Sequence, residues 1–136
     1  MRYLLDTDML IYFLKGNPSV VKAFGQIPEE DLKISILSHS ELLYGAFYSE
    51  KKNTNLKKIS KLFEYFEILP YDQEASYIFA EQKAKLRQEG SMLMDFDLMI
   101  GSIALRNKLV LVTNNQKHFK RVDGLKLENW YKKDSE

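Results

Sequence analysis

The chain has 136 residues, of which 45% are apolar and 29% charged, and its net charge is +1. That length suits one domain with its own core, and the apolar share argues against disorder. The near-neutral charge excludes a strongly basic duplex-DNA binder, the absence of cysteine excludes disulfides and thiolate zinc sites, and no apolar run is long enough to span a bilayer.

In chain order, RYLLD (2–6) predicts a short buried strand, and TDMLIYFLKGNP (7–18) a helix stopped by Gly16 and Pro18. PSVVKAF (18–24) reads as a second helix with proline at its first position. DLKISIL (31–37) predicts the second strand, followed by a helix over 38–52 with Ser38 or Ser40 near its start. Residues 55–66 carry Leu56, Ile59, Leu62, Phe63 and Phe66, an i, i+3, i+7 helical stripe. EILPY (67–71) is a short strand. The segment 72–90 is a helix opened by Asp72 and closed by Gly90. FDLMIGSIALRNK (96–108) is another helix, LVLVT (109–113) an apolar, β-branched strand, and LKLENW (125–130) a final strand. Alternating strands and helices predict an α/β fold with a mainly parallel sheet. The ordered unit is expected over 1–131, with 132–136 a frayed tail. A cysteine-free chain without a leader-like segment at its start fits a cytoplasmic location.

In a parallel sheet, ligands bind beyond the carboxyl ends of the strands. Asp6 ends the first strand, and Asn114 and Asn115 end the strand LVLVT. Glu41 and Asp97 fall in the first turns of helices. Each has an ordinary structural reading: Asp6 or Thr7 as an N-cap, Glu41 complementing a helix dipole, Asp95 and Asp97 sharing a cap, Asn115 as a turn residue. Together they are a set that four separate caps explain poorly. Clustered carboxylates raise one another's pKa and stay ionised only beside a cation. An oxygen-only donor set selects Mg²⁺ or Mn²⁺, which suits phosphoryl transfer by an activated water. No Ser–His or Cys–His arrangement competes, and His39 and His118 read as surface or local structural residues.

The blocks LLDTDMLIYFLKG, SELLYGA, FDLMIGSIAL and LVLVTNNQKHFKRVDGLKLENW resemble the PIN-domain ribonucleases, and within them the VapC-type toxins of bacterial toxin–antitoxin pairs. The resemblance runs from Tyr3 to about Trp130. It implies a three-layer α/β/α fold around a mainly parallel sheet, and a Mg²⁺- or Mn²⁺-dependent endoribonuclease acting on structured RNA, with transfer RNA the expected substrate. It implies a cognate VapB-type antitoxin and a homodimer. The family's acids fall on Asp6, Glu41 and Asp97. Its fourth position, often Asp, is Asn115 here, so one full metal site and a weak or RNA-supplied second are expected. Thr7, Asp8 and Thr113 are expected beside the cluster as caps or contacts to the metal's water shell.

Asp95 and Asp97 are two residues apart, which on a helix puts them roughly 200° apart. Asp97 shares the stripe of Ile100, Ile103 and Ala104 and is expected to face inward. Asp95 is expected to precede the helix and cap it. RNA phosphates need cations, and Lys117, Lys120 and Arg121 are the expected contacts, with Lys15, Lys51 and Lys52 further candidates. Lys57, Lys58 and Lys61 read as a solvated face. Tyr44, Phe47 and Tyr48 are expected to divide between core packing and an antitoxin groove. Three rival readings remain: a degenerate PIN module that binds RNA without cutting it, a haloacid-dehalogenase-type phosphatase, and a receiver-like module. The last two need a Lys or an acidic pair after a late strand, where this chain has Thr-Asn-Asn.

Overall fold

The computed structural model describes residues 2–133. The chain begins with β1 (Tyr3–Leu5), α1 (Thr7–Leu14) and α2 (Pro18–Gly25), then a single 3₁₀ turn over Glu29–Asp31. It continues through β2 (Leu32–Ser35), α3 (Ile36–Tyr48), α4 (Lys52–Tyr65) and β3 (Glu67–Leu69). The remainder is α5 (Gln73–Gln88), α6 (Asp95–Arg106), β4 (Val110–Val112), α7 (Gln116–Phe119) and β5 (Leu127–Glu128). The five strands form one parallel sheet in the order β3-β2-β1-β4-β5.

Alternation along the strands sorts the core into two layers. Leu5, Ile34 and Val112 point to one face, where they meet Met9, Leu10, Phe24, Leu42 and Leu62 from α1–α4. Leu4 and Leu111 point to the other, against Ile100, Ile103, Ala104 and Phe119 of α6 and α7. The result is the expected three-layer α/β/α arrangement. No helix among the described residues is long and apolar enough to cross a membrane.

Local chemistry sets the element ends. Asn17 caps α2 by accepting from the Val20 N–H at 3.1 Å, and Asp72 caps α5 by accepting from Ala75 N–H at 2.9 Å. Gly16 and Gly90, with φ of 78° and 69°, end α1 and α5 in the left-handed region. The second strand is shorter than the apolar run LKISIL suggests. Ser35 is fully buried and its Oγ accepts from Ser38 N–H at 3.0 Å, so the helix opens there and takes Ile36 and Leu37 into its first turn. Ser38 and Ser40 therefore do not cap α3, and Glu41 lies in its second turn rather than its first.

Tyr44, Phe47 and Tyr48 are all strongly exposed, so none of them fills the core. Tyr44 and Tyr48 stack on each other instead, at 5.9 Å. The end of the chain is tied down further than a tail beginning at 132 allows. The Lys132 N–H donates to Ser19 Oγ at 2.8 Å and its carbonyl accepts from Asn17 Nδ2 at 3.1 Å. Residues 134–136 of that tail lie outside the described residues.

Candidate active site

Because every strand is parallel, all five carboxyl ends share one rim. Asp6 leaves β1 there, with its N–H donating to Val112 O at 3.0 Å, so it stands beside the end of β4. It is the N-cap of α1, accepting from Thr7 N–H at 2.9 Å through Oδ1. Its other oxygen accepts from the Thr113 hydroxyl at 2.8 Å. The capping and cluster readings of Asp6 are therefore both realised, one on each oxygen. Only 7% of Asp6 is exposed. Burial first, then the neighbouring Asp8, with a smaller push from Asp97, raises its pKa from 3.8 to about 7, against the opposing hydrogen bonds from Thr113 and Thr7.

Asp8 belongs to the same cluster. Its Oδ2 accepts from Asn114 N–H at 2.9 Å, which clamps the β4 exit onto α1. Its Oδ1 is buried and has no hydrogen-bond partner. Burial is also the main cause of its raised pKa, and Asp97 adds to it. Asp97, in the first turn of α6, is half-buried; burial raises its pKa and the nearby His118 opposes the rise. These mutual shifts place Asp6, Asp8 and Asp97 in one electrostatic neighbourhood.

Glu41 joins from α3 through Thr7, whose hydroxyl hydrogen-bonds to Glu41 Oε1 and lies 2.9 Å from Ser38 Oγ. Thr7 has a single hydroxyl proton. It goes to the Glu41 carboxylate, so the fully buried Ser38 donates to Thr7. Ser38 is thus a positioning residue as well as a first-turn residue of α3. Thr7→Val should strand the Ser38 hydroxyl, at a cost of about 1–3 kcal/mol, and release Glu41. Thermal unfolding checks the first effect and RNA cleavage the second; an unchanged Tm would show that Ser38 finds another partner.

Asn115 approaches by a different route. Its N–H donates to Thr113 Oγ1 at 2.9 Å, and its side-chain amide lies 2.9 Å from His118 Nδ1. His118 is exposed and held locally by Asn115, as the surface or local structural reading has it, and it also stands close enough to lower the pKa of Asp97. The spacing Asn115-x-x-His118 at a helix start was the available signal. Asn114 was missed as a clamp. Its side chain reaches Tyr12 and accepts from Asn129, tying β5 to the rim.

One sequence expectation fails here. Asp95 does not cap α6. Met94 holds the N-cap position, with its carbonyl accepting from Leu98 N–H at 3.0 Å, and Asp95 is the first helical residue. From there its side chain turns outward and pairs with Lys83 of α5 at 2.9 Å. Arg121 is exposed and donates one guanidinium N–H to the Met92 carbonyl, which holds the loop before α6 and leaves its charge unpaired by any acid among the described residues. Lys117 and Lys120 are exposed and form no salt bridge among the described residues.

Among the described residues, no three acidic or imidazole side chains converge closely enough to enclose a metal ion unaided. Glu41 is drawn toward Thr7 and Asp6 toward Thr113, as expected of repelling carboxyls that take the nearest donors. The donor chemistry still fits a hard divalent cation. The oxygens are carboxylate and amide, Asp8 Oδ1 is an orphaned acceptor, and Mg²⁺ needs only one or two carboxylates with water completing its shell.

The PIN domain family profile matches residues 3–125. "Ribonuclease VapC2" of Rickettsia felis is 34% identical over 134 residues, covering 97% of this chain and 100% of its own. "tRNA(fMet)-specific endonuclease VapC" of Shigella flexneri is 32% identical over 130 residues, covering 96% and 98%. Among solved structures, VapBC2 from Rickettsia felis bound to a promoter DNA fragment superposes with a TM-score of 0.90 at 32% identity, over 96% of this chain and 100% of that one. Sequence, fold and the acidic rim agree over nearly the whole chain, which belongs to the PIN-domain family, within its VapC-type ribonucleases.

Proposed function

We propose that the protein is a Mg²⁺- or Mn²⁺-dependent endoribonuclease that hydrolyses phosphodiesters in structured RNA, with transfer RNA as the substrate class. The observation that carries this reading is the cluster of Asp6, Asp8 and Asp97, whose carboxyls are all pushed up by burial and which includes an orphaned Asp8 oxygen. A site like this gains most from a cation.

Asp6 and Asp97 are the proposed ligands that carry charge. Glu41 is the third acid, and Asn115 supplies a neutral oxygen. When bound, the ion neutralises the carboxylates, activates a water and stabilises the leaving oxygen. Thr113 and Thr7 orient Asp6 and Glu41 through their hydroxyls, and Asn114 holds Asp8. In hydrolysis the water oxygen forms the new bond to phosphorus, the P–O ester bond breaks, and the leaving oxygen takes a proton. Lys117 and Lys120 are the proposed phosphate contacts on the same rim.

A VapB-type antitoxin is the proposed partner, supported by solved relatives that are VapBC complexes. A homodimer is the proposed assembly, and the exposed face of α3 offers apolar surface for association.

Incubation with transfer RNA should give cleavage in Mg²⁺ or Mn²⁺ and none in EDTA, with Glu41→Gln at least about tenfold slower. Cleavage that survives EDTA would overturn metal dependence. RNA bound but uncut with either ion would leave the degenerate RNA-binding module, for which the uncharged Asn115 is the specific argument.

A further inference from the structure

Beside the acidic rim, a cavity of about 450 Å³ opens between α1, α3 and α4. Glu41 lines it, so it adjoins the proposed cleavage site through that residue. Leu42, Ala46 and Ile59 give it an apolar surface, and Lys15 and Lys58 add two cations. Asn55 also lines it, with its amide N–H committed to Ser49 Oγ at 2.9 Å, which leaves the side-chain carbonyl as an acceptor.

Gly45 lines the same cavity from the interior of α3. Glycine inside a helix destabilises it relative to alanine. At Gly101 of α6 the chain has a use for it, since an added Cβ would stand 3.4 Å from Leu125 Cδ2 and near the Phe119 ring. At Gly45 an added Cβ would meet nothing within 4 Å. No contact within the chain calls for the missing side chain. A bare backbone facing a cavity serves the close approach of a ligand.

We propose that this cavity is a nucleotide subsite, holding an unpaired RNA base next to the scissile bond against the Gly45 backbone, with Lys15 and Lys58 on the adjoining phosphates. The proposal rests on the ribonuclease reading. The volume falls in the range of small-ligand sites, apolar walls suit the face of a base, and the cations suit phosphate. A purely apolar occupant would leave the two lysines without a role. The acceptor at Asn55 suits the exocyclic amine of a base edge.

The test measures binding of a labelled hairpin oligoribonucleotide with an unpaired loop, in Mg²⁺, on an Asp97→Asn background that binds without cutting. Adding Gly45→Leu should weaken binding at least about tenfold. It should melt no lower than its parent, because the leucine enters open space. Lys58→Ala should weaken binding and flatten its salt dependence, whereas Lys57→Ala, on the same helix but outside the cavity, should change it by less than about twofold. Unchanged affinity in both Gly45→Leu and Lys58→Ala would overturn the subsite and assign the cavity to a protein occupant. Since affinity is read in a chain that cannot cut, failure of the wild type to cleave would sink the nuclease reading without altering this result.

Discussion

Asp6→Asn is expected to make the metal-free protein more stable above pH 7 while removing RNA cleavage. The folded-state pKa of Asp6, about 7, lies above its ordinary 3.8, so between those values the folded chain holds a proton that the unfolded chain has lost. Its stabilising contribution is full below about pH 4 and is lost as pH rises through about 7. The span corresponds to on the order of 4 kcal/mol. Asparagine keeps the cap, because Oδ1 still accepts from the Thr7 N–H, and its Nδ2 can donate to Thr113 Oγ1. The Thr113 hydroxyl can then turn toward Asp8 Oδ2, now 3.4 Å away.

Melting curves from pH 4 to 8 in EDTA should therefore fall for the wild type and stay flatter for the variant, with the variant several degrees higher at pH 8. Added Mg²⁺ should raise the wild-type Tm mostly at the alkaline end, where the carboxylates are ionised, and the variant's much less. Superimposable wild-type and variant profiles would show that burial of Asp6 carries no such cost.

Asp97→Asn should abolish cleavage and leave the fold intact, whereas Asp95→Ala should do neither harm. Asp97 is half-buried on the rim and its ionised form is already disfavoured, so a neutral isostere relieves the metal-free protein. Asp95 makes a surface pair with Lys83, with side chains 58% and 38% exposed, and such pairs contribute about 0–1 kcal/mol. The helix-cap reading of Asp95 implied a comparable loss, but from a different source. A double variant with Lys83→Ala separates them: a surface pair predicts that Asp95→Ala costs nothing further once Lys83 is gone. Equal loss of activity from Asp95→Ala and Asp97→Asn would show that Asp95 reaches the site.

The order and type of most strands and helices were legible because each carries its own local signal, although every strand is shorter than the segment read for it and α7 was not read. Asp6 after an apolar triplet, Asp72 before α5 and Pro18 at the first position of α2 all read correctly from neighbouring residues. The start of α3 did not, because Ile36 and Leu37 extend an apolar run whose end is set by a buried Ser35 hydroxyl. The site's residues could be proposed from types and order, but its wiring could not. Thr113 to Asp6 and Asn114 to Asp8 are hydrogen bonds between residues more than a hundred positions apart, and the second uses a backbone N–H that any residue would supply. The outward turn of Asp95 depended on Lys83 of α5, which only the packing of two helices brings near. The link from Ser38 to the site was hidden because its partner, Thr7, lies on another helix 31 positions away.

The strand order carries a consequence for synthesis of the chain. β1 lies at the middle of the sheet, yet its partner β4 is made more than a hundred residues later. Until then the first strand has one open side, Asp6 lacks Thr113 and Asp8 lacks Asn114. Trp130 then closes on Tyr3 at 5.0 Å, and Tyr131 stacks on Tyr12 at 3.9 Å. A growing chain thus carries Asp6 and Asp8 early but can join them to Thr113 and Asn114 only once β4 has been made.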